Sequence, residues 1–285
     1  MNLNRREFLT GGTMAALMLG CKTGRRNVGR SQVSVQTYVL RDLLSKDLQG
    51  TYARIGELGV GGVELFELPS FDAKTVKKAC LDNGLVVSGA HVSMPLLVKE
   101  KFNWTMDYCA TVGNRYVVVP WMGPERDEKD IGGWWRRQAD VFNELAAKMK
   151  PYDVKFGYHN HVHEFATRFG DKTVWEIFVD NFSKDVMIQW DVGALAHCGQ
   201  DAVAWYGKYP GRCPAVHLRD NWDAKAGYFG VIGEPPPGKT AVDWQGLKAV
   251  FEVDRPEWFV IEPVTSDRFD TISRSIERLE ALGIV

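Results

Sequence analysis

The feature that most constrains this chain is an alternation. From Ser31 onward, short runs of β-branched and aromatic residues alternate with longer amphipathic segments, and the pattern recurs eight times. Residues 33–38 (Val-Ser-Val-Gln-Thr-Tyr) read as a strand. Residues 42–58 read as a helix, with Leu43, Leu44, Leu48, Tyr52, Ile55 and Leu58 near helical spacing. A strand at 62–66 is followed by a helix that Asp72 caps and Gly84 stops. Further strands are expected at 85–90, 116–120, 154–158, 186–190, 215–218 and 258–262. Helices are expected near 102–112, 131–149, 173–181, 201–209, 244–251 and 267–282. Eight strand–helix units without a break predict a single-domain (β/α)8 (TIM) barrel over residues 31–285. The competing fold, a doubly wound open sheet, would want a Gly-rich phosphate turn after the first strand. Gln36-Thr37-Tyr38 is not one.

No Pro/Gly/Ser-rich linker divides the chain after its first thirty residues, so one domain is preferred to two. Lys and Arg number 35 against 36 Asp and Glu, a net charge of -1. That balance lacks the basic footprint of a nucleic-acid-binding protein. Of the five cysteines, Cys80, Cys109, Cys198 and Cys213 fall within the repeat and form no CxxC pair. Buried free thiols are expected there, with no zinc ribbon or thioredoxin site.

The first thirty residues read as an export signal and tether. Asn4-Arg5-Arg6-Glu7-Phe8-Leu9 places two arginines before the short apolar run 14–20, which is too short to span a bilayer. The pattern resembles a twin-arginine signal, with Asn4 where Ser or Thr is usual. Leu17-Met18-Leu19-Gly20-Cys21 also resembles a lipobox, which implies a membrane tether through a lipidated Cys21. The expected localisation is therefore periplasmic, either soluble or lipid-anchored, with residues 22–30 as a flexible tether.

In (β/α)8 barrels the active site gathers at the C-terminal ends of the strands. Those positions hold Gln36 and Tyr38, Glu64 and Glu67, His91, Trp121, His159, His161 and Glu164, Asp191, His217 and Glu262. Residues 156–165 are the densest stretch, with three of the six histidines. The last four strands end in carboxylates and imidazoles. Such an oxygen-rich set with one imidazole suits a single divalent ion (Mn²⁺, Mg²⁺, Co²⁺ or Zn²⁺) and has no thiolate to force zinc. Ordinary roles compete at each position: a turn or N-cap aspartate at Asp191, a core histidine at His217. Glu262 follows an apolar strand, where an unpaired carboxylate would be costly to bury. His91 and His197 are pocket candidates only.

From Val33 to the C-terminus the chain resembles the xylose isomerase-like, or sugar phosphate isomerase/epimerase, family. The resemblance rests on residues 36–42 (Gln-Thr-Tyr-Val-Leu-Arg-Asp), Gly62-Val63-Glu64-Leu65-Phe66, Tyr158-His159-Asn160-His161 with Glu164-Phe165, and Trp190-Asp191-Val192-Gly193. It extends through residues 209–212 (Tyr-Pro-Gly-Arg), His217-Leu218-Arg219-Asp220, Val242-Asp243-Trp244 and Ile261-Glu262. It implies one divalent ion held by Asp191, His217, Glu262 and a ligand from the fifth strand. Many members place a Glu on that strand; here Glu164 is assigned, with His159 or His161 as the alternative. A proline-rich insert, residues 233–239, replaces the family's usual Gly-rich loop.

The expected chemistry is isomerisation or epimerisation of a sugar or keto-sugar by proton abstraction next to its carbonyl. Glu164 and Glu262 would be the catalytic pair on opposite faces of the reacting carbon. His159, His161 and Arg219 would bind substrate, and Asp220 would orient Arg219. β-Elimination from a keto-sugar or keto-glycoside uses the same carbanion and is the first alternative. A non-catalytic sugar-binding lipoprotein is the second. Phosphodiester hydrolysis would need more metal ligands and a basic face. The expected partner is thus a small-molecule sugar, with no nucleic acid; an oligomer is compatible with the sequence.

Overall fold

The structure is a computed structural model that describes residues 28–262 and 267–285. The twin-arginine motif and Cys21 lie outside the described residues. Arg30, expected to close a flexible tether, is held instead. Its guanidinium pairs with Glu280 at 2.6 Å and donates to the Leu58 carbonyl at 3.0 Å.

Eight parallel strands form the sheet: β1 Val33–Gln36, β2 Gly62–Phe66, β3 Val86–His91, β4 Tyr116–Val119, β5 Lys155–His159, β6 Val186–Gln189, β7 Ala215–Leu218 and β8 Trp258–Ile261. Their order is β6-β5-β4-β3-β2-β1-β8-β7. The two ends of that order meet through an isolated bridge between Asp191 and His217 and through the His217 N–H bond to the Trp190 carbonyl at 2.7 Å. The barrel is therefore nearly closed, and its thinnest seam runs between two residues expected to hold a metal.

Eight helices wrap the strands: α1 Leu48–Glu57, α2 Ala73–Asp82, α3 Lys101–Val112, α4 Ile131–Met149, α5 Val174–Val179, α6 Ala202–Lys208, α7 Trp244–Val253 and α8 Arg268–Leu282. Aspartate side chains start α1, α2, α4, α6 and α7 by accepting backbone N–H bonds, and Thr173 with Glu176 makes a capping box on α5. Each such cap typically contributes about 1 kcal/mol. The helix expected over 42–58 is broken. Asp47 is extended at φ -149 and its carboxylate caps α1, which cuts off a single turn at Arg41–Leu44. Strand β1 ends two residues early because the Gln36 side chain accepts from the Tyr38 N–H and starts a 3-10 turn.

The core is continuous around the barrel. Its densest part lies behind β5 and β6, where Phe142, Phe156, Tyr158, Trp175, Phe178 and Trp190 are fully buried. Burying each such ring contributes on the order of 1.5–3 kcal/mol. Cys80, Cys109 and Cys213 are buried free thiols, while Cys198 is half-buried. No described helix is long and apolar enough to cross a membrane.

A buried polar layer closes the C-terminal end of the barrel. Gln36, Glu64, His91, His159, Gln189, Asp191 and His217 are each at most 3% exposed. A bulge between β2 and β3 sets its geometry: Val63 faces Val87, but the next residue, Glu64, faces Gly89. A Cβ at residue 89 would lie 2.9 Å from the Glu64 Oε1, so glycine there makes room for a carboxylate in the barrel interior.

Candidate metal centre

Glu64 is the hub of the polar layer. Its Oε1 accepts from the Gln189 amide at 2.6 Å; its Oε2 accepts from the Gln36 amide at 2.6 Å and lies 2.6 Å from the His217 Nε2. The His91 Nε2 is 3.2 Å from the same oxygen. Burial alone would raise the Glu64 pKa, but the His91 and His217 charges and the donated bonds outweigh it and lower it. A carboxylate so surrounded is ionised, and its partners' roles follow.

Because Glu64 can only accept, the Gln189 amide nitrogen must face it, and the Gln189 Oε1 must face the other way. That oxygen lies 2.7 Å from the His91 Nε2 and 3.1 Å from the His159 Nδ1. It accepts from both rings. The His159 proton therefore sits on Nδ1, and Nε2 carries a free lone pair. Burial, reinforced by the neighbouring His217, His161 and His91, pushes the His159 pKa well below 6.5, which keeps the ring neutral. A neutral imidazole with one nitrogen held by a partner and the other bare is how histidine is presented to a metal.

The bare nitrogen faces acidic company. The His159 Nε2 lies 3.8 Å from the Asp191 Oδ2, and donor atoms of His159, Asp191 and Glu262 all fall within 4.8 Å of one another. A second group, His91, His159 and His217, shares His159. Asp191 divides its two oxygens. Oδ1 caps the turn Val192–His197 by accepting from the Ala194 N–H and takes a 3.2 Å bond from the Arg219 Nε. Oδ2 is buried 2.5 Å from the Arg219 Nη2, yet it has no hydrogen bond of acceptable direction. The N-cap role and a place in a candidate donor group thus coexist in one side chain. Gly193 makes room for Arg219, since a Cβ there would lie 2.6 Å from the Arg219 Cγ.

His217 links the hub to the mouth. Its Nε2 meets Glu64, and its Nδ1 lies 3.1 Å from the Glu262 Oε2. Burial opposes charge on this ring, but Glu64 and Glu262 outweigh it and push its pKa up to about 10. Burial would raise Glu262, but the His217 hydrogen bond and charge, with Arg219, bring it down to about 2. The Nδ1 proton of His217 lies between that ring and the Glu262 carboxylate. The Asp191 and Glu262 carboxylates and the His159 imidazole, whose donor atoms lie within 4.8 Å of one another, fit a divalent ion.

Glu164, expected as the first ligand and as the acid/base partner of Glu262, is placed differently. Its carboxylate is fully buried: Oε1 accepts from the Tyr158 hydroxyl at 2.5 Å and Oε2 from the His161 N–H at 2.9 Å. It belongs to neither donor group. His159, which the sequence left open as the alternative, belongs to both donor groups. His161 is half-buried beside His159, and its Nδ1 is buried without a hydrogen bond. Arg219 is engaged by Asp191 rather than free for substrate. Asp220 does not orient it; its carboxylate accepts from the backbone N–H groups of Asn221, Gly233 and Val242 and from the Trp244 indole, and so ties down the loop that carries the proline insert. His197 stacks on Trp222 at 4.0 Å and lies 2.9 Å from the Asn221 Oδ1, outside both donor groups. Glu64, Gln36 and Gln189 are the residues whose part in the centre a strand-end reading underrates. Polar side chains on otherwise apolar strands were the available signal.

The buried groups predict a pH optimum for stability of the metal-free protein. Burial brings His161 down to about 4, and His159 is lowered too, so folding rejects protons that the unfolded chain binds below pH 6.5. Stability should fall as pH drops from 6.5 toward 4, by roughly 3 kcal/mol for His161 alone. His217 acts oppositely: its contribution is complete below pH 6.5 and is lost as pH rises through 10. Urea unfolding in the presence of chelator at pH 5, 7 and 9.5 should therefore give the highest midpoint at pH 7.

An eight-stranded parallel barrel with buried His, Asp and Glu groups at the C-terminal ends of its strands defines a class: (β/α)8 proteins whose barrel mouth carries a cluster consistent with a divalent-metal site. Residues 52–282 match the model of the xylose isomerase-like TIM barrel family, and the chain belongs to that family. Among curated proteins it is similar to an inosose dehydratase of Clostridium perfringens, 27% identical over 181 residues. That match covers 57% of this chain and 60% of the relative, so the chain spans less than two thirds of the relative's length. Among solved structures it resembles a sugar phosphate isomerase/epimerase from Parabacteroides distasonis, with a TM-score of 0.69, 22% identity, and 88% and 94% of the two chains covered. A D-tagatose 3-epimerase-like protein aligns with a TM-score of 0.63 at 16% identity over 89% of this chain and 98% of its own. These structural likenesses speak for the fold.

Proposed function

We propose that this protein is a divalent-metal-dependent lyase that removes water or an alcohol from a keto-sugar or keto-glycoside by β-elimination, with Glu262 as the base. One observation carries this reading. Among the clustered carboxylates, Glu64, Asp191 and Glu164 side chains are 0% exposed, whereas Glu262 is 12% exposed. Its Oε1 makes no hydrogen bond to any described residue, because only Oε2 meets His217. A site with one carboxylate able to meet a substrate supplies one base. Epimerisation removes a proton from one face of a carbon and returns one to the other, which asks for two such groups. Glu164 has both oxygens occupied. Elimination needs only one base, and the named activity of the Clostridium perfringens relative, a dehydratase, is of this type.

His159, Asp191, His217 and Glu262 would hold the ion, which when bound would polarise the ketone and stabilise charge developing on its oxygen. Glu262 takes the proton from the carbon next to the carbonyl. The freed electron pair forms the carbon–carbon double bond as the oxygen substituent on the following carbon departs and takes up the proton that Glu262 removed, so the products are an unsaturated ketone and water or an alcohol, and Glu262 is again ionised. Glu64 holds His217 from behind, and Gln189 holds His159 in the tautomer that leaves Nε2 bare. The His161 ring, half-buried beside His159, would meet a substrate hydroxyl.

Two measurements test this. Metal analysis should find about one divalent ion per chain, lost in His159→Ala and retained in Glu164→Gln. For His159, affinity should fall by at least the roughly tenfold to hundredfold that loss of a partner behind a ligand costs. Proton NMR of a 3-keto-glucoside in D₂O with metal-loaded protein should show release of the aglycone. Solvent deuterium exchange without any released product would redirect the reading to isomerisation, and no exchange at all would defeat it.

A further inference from the structure

The end of the barrel opposite the mouth carries a charged cavity that the chemistry above does not use. A hollow of about 340 Å³ opens where β5 and β6 begin and where the chain enters β7. Its charged lining is Lys150, Lys155, Lys184 and Arg212 against Asp153 and Asp185. The two carboxylates are already answered: Asp153 pairs with Arg115 at 3.2 Å, and Asp185 pairs with Lys150 at 3.4 Å. The other three cations have no carboxylate among the described residues. Lys184 makes no hydrogen bond or ion pair there, and Lys155 has only the Tyr116 ring, 5.7 Å from its Nζ.

Arg212 is the half-buried member of the three. Its Nε and Nη2 donate to the Val186 carbonyl at 3.1 and 2.6 Å, and Nη2 also reaches the Ser183 carbonyl at 3.1 Å. Nη1 is left without a partner. Burial pulls the Arg212 pKa below its usual value, with only the Tyr209 hydroxyl acting against it. The cavity also sits at the foot of the β6–β7 seam, the one interval of the barrel that no strand ladder closes. Arg212 crosses that seam twice. Its carbonyl accepts from the Ile188 N–H at 2.8 Å, and its guanidinium holds the first residue of β6. The stretch Tyr209-Pro210-Gly211-Arg212, prominent in the sequence, has no part in the metal centre, and this cavity gives it one.

We infer that this cavity binds a doubly charged tetrahedral oxyanion, a phosphate or sulfate group, between Lys155, Lys184 and Arg212. A guanidinium with a free nitrogen and two ammonium groups supply the donors that such an ion accepts from. One dianion offsets two of the three uncompensated charges. The cations come from the start of β5, the turn before β6 and the segment before β7, so the bound ion ties the two edges of the seam together. The site is independent of the barrel mouth and of the reaction proposed there.

Calorimetric titration of the metal-loaded full chain with sodium sulfate and with sodium phosphate, at constant ionic strength, tests this. One saturable site per chain is expected, and the tighter titrant identifies the ion. The double variant Lys155→Gln/Lys184→Gln changes two exposed side chains that hydrogen-bond to nothing described, so its fold should be kept. It should weaken the site by about tenfold for each charge-assisted bond lost. The thermal midpoint should rise with the anion by more in the wild type than in the variant, whose rise measures the general exclusion of these salts from protein surface. Chelator-treated protein should bind the anion as tightly as the metal-loaded protein does. Absence of a saturable site, an affinity or a midpoint rise equal in wild type and variant, or binding that disappears with the metal would each overturn the inference.

Discussion

Glu262→Gln is expected to slow deuterium incorporation next to the ketone by about 10²–10⁴-fold, the usual contribution of a positioned general base. The substitution keeps the volume and a carbonyl oxygen but cannot take a proton at neutral pH. It also removes half of the charge pairing on His217, whose Nδ1 lies 3.1 Å from the Glu262 Oε2. The imidazole should then lose its proton more readily, so the metal-free variant should lose less stability on the alkaline side than the wild type. Reading metal content alongside exchange keeps ligand and base apart. A variant that holds its ion and has lost exchange identifies Glu262 as the base. Exchange at the wild-type rate would remove it from that role.

Glu64→Ala is expected to cost 3–5 kcal/mol of stability, the range found when one partner of a buried charge pair is deleted. The loss is large because the carboxylate answers donors from the ends of four strands. Without it the Gln36 and Gln189 amides and the His217 Nε2 lose bonds of 2.6 Å each in a region closed to water. Metal affinity should fall as well, by roughly tenfold to hundredfold, since His217 would lose the group that orients it. Urea unfolding with and without metal measures both. A change below about 1 kcal/mol would mean that the polar layer has another support.

These two residues show how legibility divides. Glu262 stands out in the sequence because it ends an apolar strand, where a carboxylate needs a reason to be. Glu64 stands at the end of β2 in the same way, but its importance comes from partners that no local pattern joins to it. Gln189 is 125 residues away and His217 is 153. Glu164 illustrates the opposite case. Its proximity in sequence to His159 and His161 suggests a ligand, yet the turn after β5 brings its carboxylate back onto the Tyr158 hydroxyl and the His161 N–H. Sequence distance of five residues says little once a chain leaves a strand.

Periods of two and of 3.6 residues are local properties, so the order of the eight strands and helices, and with it the barrel, could be read from contiguous residues. So could the end of the barrel at which chargeable side chains collect. Proton positions could not. That the His159 Nε2 is bare follows from a chain of acceptors, Glu64 to Gln189 to His159, which exists only when β2, β5 and β6 stand side by side. That Glu262 alone among the clustered carboxylates reaches the mouth depends on what buries the other three. Which donor atoms come together and which carboxylate stays open depend on burial and on hydrogen-bond partners contributed by distant strands, and only the tertiary structure brings those together.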